Sequence, residues 1–451
     1  FCLIIIGLML RSDMLGLTSV VRSLALAPDH YESMLHFFRA SSWNLDAIKQ
    51  KWFHVVASSG LIHKENGYTV LIGDGVKQAK EGKYMPGVKK LFQESENSAK
   101  PEYIFGHLFG GVGVLAGSVL KWFCIPLFIN LQDGLQTIHS WNQEQSPSHV
   151  VQMIERGYEA AKVFGPSLFL LDRYFLSVPA LEKLAECMES SHATLHLITK
   201  AKKSCIAYEA PGPKKTGRGR PPKKGKAIKL KELFHAREEH FQEATLDMYG
   251  KTETVRYYYI NLLWGQKLYQ ELRFVLVEYK GVQSILVSTD LCLDPVSIIR
   301  LYSYRFKIEC TFRELKQVIG AFRYQFWSKS MPKLNRYQRK SEKPAIELVT
   351  EPAEQERIRL TVKATEGYVM LSCIAMGLVQ MIALTFSGEI KSGNLRYLRT
   401  ATRAIVSEAT VMHYLRAHIF RIMMQKPVLS ITRFINEKQE QPDITKDLQA
   451  S

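Results

Sequence analysis

The feature that most constrains the fold is an alternation of buried strands and amphipathic helices between residues 68 and 200. Short apolar runs lie at 68–75 (YTVLIGDG), 167–175 (SLFLLDRYF) and 193–200 (ATLHLITK), and two amphipathic helical patterns separate them. This alternation predicts an α/β domain with parallel neighbours in its sheet. In such sheets, functional side chains gather at the carboxyl ends of the strands.

The remaining patterns extend this core. Apolar runs with glycine bends at 104–117 and 121–131 predict further strands of the same sheet, and runs between 253 and 289 predict antiparallel strands. Both ends of the chain have helical periodicity. We therefore predict a helical N-terminal region at 1–62, which is a candidate DNA-binding unit, and a helical C-terminal region at 331–451. Between them we predict a catalytic core in two parts, 63–200 and 293–330. An insertion at 201–292, with a basic loop and antiparallel strands, separates the two parts.

The charge of the chain indicates a polyanionic partner. The 451 residues carry a formal net charge of +17, while 46% are apolar, as in an ordinary globular protein. Such a charge favours nucleic acid, with an anionic membrane surface as the alternative.

Part of this charge lies in a loop at 201–229 that is rich in lysine, glycine and proline, a composition typical of disorder. Within it, Arg218-Gly219-Arg220-Pro221 resembles the core of an AT-hook, whose arginines enter the minor groove of A·T-rich DNA. A plain electrostatic contact with phosphates is the alternative interpretation of Arg218 and Arg220.

Cysteine usage and hydropathy favour a cytoplasmic protein. The seven cysteines are scattered without C-x-x-C spacing, so neither a zinc ribbon nor a disulfide framework is predicted. Residues 367–386 carry no charge and are long enough to span a bilayer, but Gln380, Ser372 and two glycines favour a buried core helix. We expect no membrane association.

Two carboxylates follow predicted strands and a third lies on a predicted helix. Asp74 and Asp172 are expected at the carboxyl ends of their strands, Glu309 lies on the helix, and Asp290 competes for the second position. Two divalent cations about 4 Å apart can clamp the attacking and leaving oxygens of a phosphoryl displacement. Two aspartates and a glutamate supply the hard oxygen ligands that Mg²⁺ prefers.

The helix with Glu309 is expected to begin after Asp294, an N-cap residue followed by proline, and to run on without a break. At about 100° per residue, charged and phenolic side chains form one stripe beside an apolar face: Tyr302, Arg305, Glu309, Arg313 and Lys316. The stripe could grip phosphates around a metal ligand. A solvated face with an Arg305–Glu309 pair is the alternative.

The spacing Tyr302-x-x-Arg305-x-x-x-Glu309-x-x-x-x-x-x-Lys316 resembles the Y-R-E-K signature of bacterial insertion-sequence DDE transposases of family four. The blocks LIGDG and LLDRYF resemble the family's first and second aspartate blocks. The resemblance implies an RNase H-like mixed sheet flanked by helices. It also implies a β-rich insertion between Asp172 and Glu309.

The same resemblance implies a function. The catalytic and metal ligands would be Asp74, Asp172 and Glu309, which would hold two Mg²⁺ or Mn²⁺ ions. Tyr302, Arg305 and Lys316 would contact DNA phosphates. Similar proteins nick the ends of their own element and join the freed 3′-hydroxyls to target DNA. A homodimer on paired inverted repeats, in the bacterial cytoplasm at the nucleoid, is expected by analogy.

Trp264 and the overall activity have open alternatives. Trp264 lies in the predicted insertion, where it could hold an unpaired base or serve as a core or hairpin aromatic. The alternative to an active transposase is an inactive or domesticated DNA-binding derivative. A membrane-associated protein is the third possibility, and it requires residues 367–386 to face lipid.

Overall fold

The computed structural model describes residues 1–40, 42–93, 101–132, 141, 147–190, 193–212, 222–335, 345–392 and 402–439. The α-helices are α1 Cys2–Leu10, α2 Leu17–Ser23, α3 His30–Arg39, α4 Leu45–Ala57, α5 His149–Phe164, α6 Val178–Ser190, α7 Leu233–Ala236, α8 Pro295–Ser303, α9 Lys307–Glu314, α10 Pro352–Thr385, α11 Ser387–Ser392, α12 Glu408–Met424 and α13 Ser430–Lys438. The strands are β1 Lys64–Glu65, β2 Tyr68–Ala79, β3 Lys89–Phe92, β4 Tyr103–Ser118, β5 Lys121–Leu131, β6 Ser167–Leu170, β7 Leu195–Lys200, β8 Ile206–Tyr208, β9 Ala227–Lys229, β10 Gln242–Met248, β11 Lys251–Trp264, β12 Gln270–Tyr279 and β13 Val282–Ser288.

One mixed sheet organises the molecule. Strands β5, β4 and β2 pair antiparallel, and β2, β6 and β7 pair parallel. All four residues of β6 are buried, as expected for a parallel strand covered on both faces. The predicted α/β alternation between residues 68 and 200 is therefore confirmed.

The sheet continues through the predicted antiparallel strands. Strand β13 pairs antiparallel with β7, and β12, β11 and β10 follow it in order. Strands from the segment between β7 and α8 thus extend the core sheet. The prediction of antiparallel strands between residues 253 and 289 is confirmed.

Helices cover both faces of the sheet. On one face, a Cβ added to Gly111 of β4 would lie 3.0 Å from the ring of Phe312 on α9. On the other face, a Cβ added to Gly157 of α5 would lie 2.3 Å from the ring of Phe169 on β6. Side chains alternate between faces along a strand, and these two close approaches fix which helix lies on each side.

The helices at the two ends of the chain pack together. Helix α10 contacts α1, α3, α4 and β5. It is long and apolar enough to cross a membrane, but 78% of its most apolar window is buried inside the protein. The expectation of a buried core helix at 367–386 is confirmed.

Arg11, directly after α1, ties the two ends to the middle of the chain. Its side chain is buried, with 1% of the residue exposed, and it donates hydrogen bonds to the Ile319 carbonyl at 3.0 Å and the Tyr368 hydroxyl at 2.9 Å. Arg416 of α12 donates in turn to the carbonyls of Leu10 and Arg11, at 2.7 and 2.6 Å. These bonds satisfy carbonyls at two helix ends that would otherwise lack partners.

Candidate active site

Asp74 lies in the middle of β2, because that strand continues to Ala79. The expectation that Asp74 closes its strand is therefore wrong. It does lie where the parallel pairing ends, since β6 stops opposite Ile72, while Asp74 itself pairs with Gly111 of β4. Beyond Asp74, β2 continues by pairing with the antiparallel strand β4. The sequence of β2 alone does not reveal this continuation.

Gly111 lets a helix approach Asp74 closely. Cross-strand partners share a face of the sheet, so the Asp74 side chain points toward the side that α9 covers. A Cβ at Gly111 would be 3.0 Å from the Phe312 ring, a tight contact. The missing side chain therefore leaves room for α9 against the strand that carries Asp74.

Asp172 follows the end of β6 by two residues, close to the expected place. It precedes a 3₁₀ turn at Arg173–Phe175, and its backbone carbonyl accepts a hydrogen bond of 3.0 Å from the hydroxyl of Thr199 on β7. Asp172 is thus fixed to the adjacent parallel strand at the same edge of the sheet as Asp74.

Asp290, the competitor for the second position, lies elsewhere. Its carboxylate accepts a 2.8 Å hydrogen bond from the Cys292 backbone, and the residue is only 7% exposed. Burial, followed by the charge of Asp290, raises the pKa of Tyr68, the first residue of β2. Asp290 therefore lies beside the start of the strand, at the end of the sheet opposite Asp172.

The helix that carries Glu309 is interrupted. The predicted start is confirmed, because the Asp294 carboxylate accepts a 2.9 Å hydrogen bond from the Ser297 backbone. The expected single long helix is wrong, since α8 ends at Ser303 and α9 begins at Lys307. A tight turn joins them, in which Lys307 N donates to Tyr304 O at 2.9 Å, three residues back instead of four.

Arg305 lies in this turn and joins two of the three acids. One guanidinium nitrogen donates to Asp74 Oδ2 at 3.0 Å, and the other donates to Glu309 Oε1. The predicted Arg305–Glu309 pair is present, and its extension to Asp74 on β2 adds a link between helix and sheet. The Arg305 side chain is 17% exposed and that of Glu309 is 53% exposed, so the pair opens toward solvent on the Glu309 side.

Glu309 and Asp172 both lie within electrostatic range of Asp74. Burial raises the pKa of Asp74 to about 6, Arg305 and the Gly75 backbone N–H act in the opposite direction, and Glu309 and Asp172 raise it further. Like charges disfavour each other's ionisation, and a nearby guanidinium favours it. At neutral pH, Asp74 is mostly ionised but loses its charge more readily than an ordinary aspartate.

Two tyrosines lie near Arg305. Burial raises the pKa of Tyr302, which also senses Arg305, Asp172 and Asp74, so its phenol keeps its proton at neutral pH. Tyr249 lies at the turn between β10 and β11, and its ring centroid is 5.7 Å from that of Phe306. Tyr249 is not predicted from the sequence, because only its hairpin turn (MYGK) marks it locally and its contact with the α8–α9 turn is tertiary.

Lys316 and Arg313 have different surroundings. Lys316, in a π-helical turn at Leu315–Ile319, donates from Nζ to the carbonyl of Lys77 on β2 at 3.4 Å. Arg313 instead pairs with Glu314 at 2.9 Å and lines a cavity on the other side of α9. The structure therefore brings Lys316 alongside the strand of Asp74 and turns Arg313 away from the acids.

Lys200 is a further cation that the sequence analysis missed. It is the last residue of β7. Burial lowers its pKa, Asp172 raises it, and Arg173, Lys203 and Arg305 lower it. The rule that functional residues follow strand ends could have selected Lys200, since its strand had been predicted.

The donor chemistry of the three acids fits Mg²⁺, because carboxylate oxygens are its preferred protein ligands. Within the described ranges, no group of three His, Cys, Asp or Glu side chains is close enough together to hold an ion. The Arg305 guanidinium lies between Asp74 and Glu309 and bonds to both, as a cation would. An ion could bind to them only by replacing or sharing that guanidinium.

The other predicted DNA contacts are less connected to the acids. Trp264 ends β11, is partly buried, and donates from its indole N–H to Cys205 Sγ at 3.1 Å. The next residue, Gly265, packs against the start of α6, with a Cβ position 3.2 Å from Val178. Arg218 and Arg220 lie outside the described residues.

The geometry thus brings Asp74, Glu309 and Arg305 into direct contact, with Asp172 and Tyr302 within electrostatic range. A partly buried carboxylate with a raised pKa beside further acids is a common feature of functional sites. Compared with protein-family models, curated proteins and solved structures, the chain matches none of them.

Proposed function

We propose that this chain is a DDE transposase, a metal-dependent endonuclease and strand transferase. It would nick DNA at the terminal inverted repeats of an insertion sequence and join the freed 3′-hydroxyls to target DNA. The proposal joins the Y-R-E-K resemblance to the surroundings of Arg305.

The observation that carries the proposal is the double ion pair of Arg305. This residue bonds to Asp74 and Glu309, which are far apart in the sequence, at the edge of the sheet where Asp172 also lies. Acidic residues from a strand, a strand end and a helix therefore lie within electrostatic range of Arg305. An ordinary solvated helix face would not require acidic residues from the strand and the strand end as well.

The sheet supports an RNase H-like core. Three antiparallel strands precede two parallel ones in the spatial order β5-β4-β2-β6-β7, and helices lie on both faces. The antiparallel strands between Asp172 and Glu309 are compatible with the β-rich insertion that the resemblance implies. The connectivity is thus in keeping with the expected family, which here remains a proposal.

Asp74, Asp172 and Glu309 would hold the Mg²⁺ or Mn²⁺ ions, two per site. Such ions supply an activated water or 3′-hydroxyl and stabilise the charge of the phosphoryl displacement. Asp74 must be ionised to act as a ligand, which its pKa of about 6 allows at neutral pH.

The remaining side chains would bind the DNA strand. Arg305 offers a planar fork for a phosphate once it leaves a carboxylate, and Lys316 offers a point charge beside β2. Tyr302 keeps its proton at neutral pH and can donate a hydrogen bond to a phosphate oxygen. Arg313, Arg218, Arg220 and Trp264 stay predictions as DNA contacts.

The net charge of +17 supports double-stranded DNA as the partner. Pairing of two element ends would require a homodimer in the complex with DNA. The expected place of action is the bacterial cytoplasm, at the nucleoid.

One observation favours a second candidate, a DNA-binding protein without catalysis. The ion pairs of Arg305 already neutralise Asp74 and Glu309 in part, as in a purely structural ion-pair network. An inactive or domesticated derivative of a transposase could keep this network and lose metal binding.

Cleavage of a DNA duplex that carries the inverted repeats flanking the coding sequence tests both candidates. With Mg²⁺ or Mn²⁺ we expect nicks at the 3′ ends, and Glu309→Gln should reduce their rate more than about 100-fold, because even outer-shell partners of a metal are worth 10–100-fold. Glu186→Gln, which alters an exposed carboxylate on α6, is the matched control.

Equal cleavage by wild type and Glu309→Gln would contradict the proposed active site. Tight binding of the same duplex, with no cleavage in either metal, would favour the second candidate. The two results separate a failed assignment of residues from a failed assignment of activity.

A further inference from the structure

A cavity of about 490 Å³ lies on the side of α9 away from the acids. Lys307, Cys310, Thr311 and Glu314 of α9 line it, whereas Glu309 does not. At about 100° per residue, these four positions fall on one face of a helix and Glu309 falls on the opposite face. The cavity is therefore separate from the candidate active site, although both use the same helix.

The lining of this cavity carries more positive than negative charge. Its cations are Lys121, Lys307, Arg313 and Arg403, and its carboxylates are Glu314 and Glu408. Arg313 and Glu314 form an ion pair of 2.9 Å with each other. The other charged side chains of the lining are three cations, Lys121, Lys307 and Arg403, and one carboxylate, Glu408.

That remaining carboxylate is partly engaged. Glu408 is 9% exposed and accepts a 3.3 Å hydrogen bond from Gln380 of α10. In the part of the chain that the structure describes, no ion pair joins Lys307 or Arg403 to an acid. The pocket thus has an excess of about two positive charges over its own carboxylates, which matches a phosphate group at neutral pH.

Burial makes this excess costly. Burial lowers the pKa of Lys121, Glu408 raises it, and Arg403 lowers it. Lys121 uses one proton to donate to the Val406 carbonyl at 2.8 Å, which holds it at the wall of the cavity. A bound anion would offset the repulsion between the three cations.

The start of α12 adds backbone donors. Ser407 caps this 17-residue helix, its side chain accepts from the Thr410 N–H at 3.2 Å, and Ser407, Glu408 and Ala409 all line the cavity. The first N–H groups of a helix lack intrahelical partners and favour anions. Here they lie beside a separate cluster of three cations.

We infer that this cavity is a phosphate-binding site, in which Lys121, Lys307 and Arg403 are the charged ligands and the first turn of α12 contributes N–H donors. The phosphate can be a free anion or part of a DNA strand, because the recognising chemistry is the same. The inference does not depend on the proposed transposase activity, since it uses none of the three acids.

Calorimetric titration with inorganic phosphate, at constant ionic strength in chloride, tests the free-anion source. Wild type should bind, and the double variant Lys307→Gln/Arg403→Gln should bind at least about tenfold more weakly, because charge-assisted hydrogen bonds are lost. The matched control is Lys231→Gln/Arg237→Gln, which removes the same charge from two exposed residues. Lys307→Arg keeps the charge and should retain binding.

Fluorescence anisotropy with a labelled 20-base-pair DNA duplex tests the second source. If inorganic phosphate does not bind but the double variant loses duplex affinity more than its control does, the site takes a DNA phosphate. If neither ligand distinguishes the double variant from its control, while circular dichroism shows both folded, the inference is wrong.

Discussion

The two faces of α9 have opposite charge balances. On one face, three carboxylates, Asp74, Asp172 and Glu309, surround one arginine that is ion-paired with two of them. On the other face, three cations surround one carboxylate. On the acid face, Arg305 neutralises part of the negative charge. On the basic face, the single carboxylate neutralises a smaller part of the positive charge.

This difference suggests what each face would bind. A charge that lacks a partner in a half-buried place is costly, and a ligand of opposite sign relieves the cost. The acid face would therefore take a cation and the basic face an anion. The predictions that follow separate the two faces, from the largest expected effect to the smallest.

Replacing an acid should weaken cation binding strongly, whereas replacing a lysine of the basic face should hardly change it. Asp172→Asn should weaken Mn²⁺ binding about 100-fold, because it removes a ligand and not only an outer-shell partner. Electron paramagnetic resonance of free Mn²⁺ measures this affinity. Lys307→Gln should leave it within about twofold, since the intervening helix and solvent screen its charge. A similar loss in both variants would contradict the separation of the faces.

Removing the internal cation should strengthen metal binding while weakening DNA binding. Arg305→Gln frees Asp74 and Glu309, so we expect Mn²⁺ to bind about tenfold more tightly, the effect of about 1.4 kcal/mol. Duplex affinity should fall in the same variant, because a phosphate contact is lost. Weaker Mn²⁺ binding in Arg305→Gln would show that the arginine positions the acids and does not compete with a metal.

The acid face should respond to pH near 6. Burial raises the pKa of Asp74 to about 6, so Asp74 is ionised above this value and protonated below it. Mn²⁺ affinity should therefore be level above pH 7 and fall about tenfold for each unit below 6, since ligands must be deprotonated. Arg305 holds this pKa down, so Arg305→Gln should move the midpoint to higher pH. An unchanged midpoint would exclude Asp74 as the titrating group.

The smallest expected effect concerns the hydrogen bond that holds α9 against the sheet. The hydroxyl of Thr311, which is buried, donates to the Cys124 carbonyl on β5 at 2.7 Å. Thr311→Val should lower the free energy of unfolding by about 1–3 kcal/mol, because this carbonyl loses its partner. Chemical denaturation measures the change, with the exposed Thr245→Val as control. A loss no larger than that of the control would mean that α9 is held by packing alone.

Sequence reasoning found the acids because their local signals are strong. Asp172 follows a fully buried strand, and Arg305 and Glu309 lie four residues apart, so strand burial and helix spacing were sufficient. The position of Asp74 was only approximately right, since the antiparallel partner β4 extends β2 past the parallel pairing. No local pattern in β2 encodes the length of its neighbour.

Other parts depend on contacts that local patterns do not contain. The break at Tyr304–Phe306 interrupts a continuous helical periodicity. Arg313 was expected on the same stripe as Glu309, but it lines the cavity and pairs with Glu314. The basic face combines α9 with residues near 403–409, almost a hundred positions later. Only the folded chain brings these segments together.

The hydrogen bonds of Arg11 and Arg416 have a consequence for folding during synthesis on the ribosome. Arg11 bonds to the Ile319 carbonyl across 308 positions, and Arg416 bonds to the Leu10 carbonyl across 406. A chain that grows from its N-terminus cannot form the first bond before Ile319 has emerged, or the second before Arg416 has emerged. Helix α1 can pack against α2 early, but its packing against α10 and α12 has to wait for those later helices.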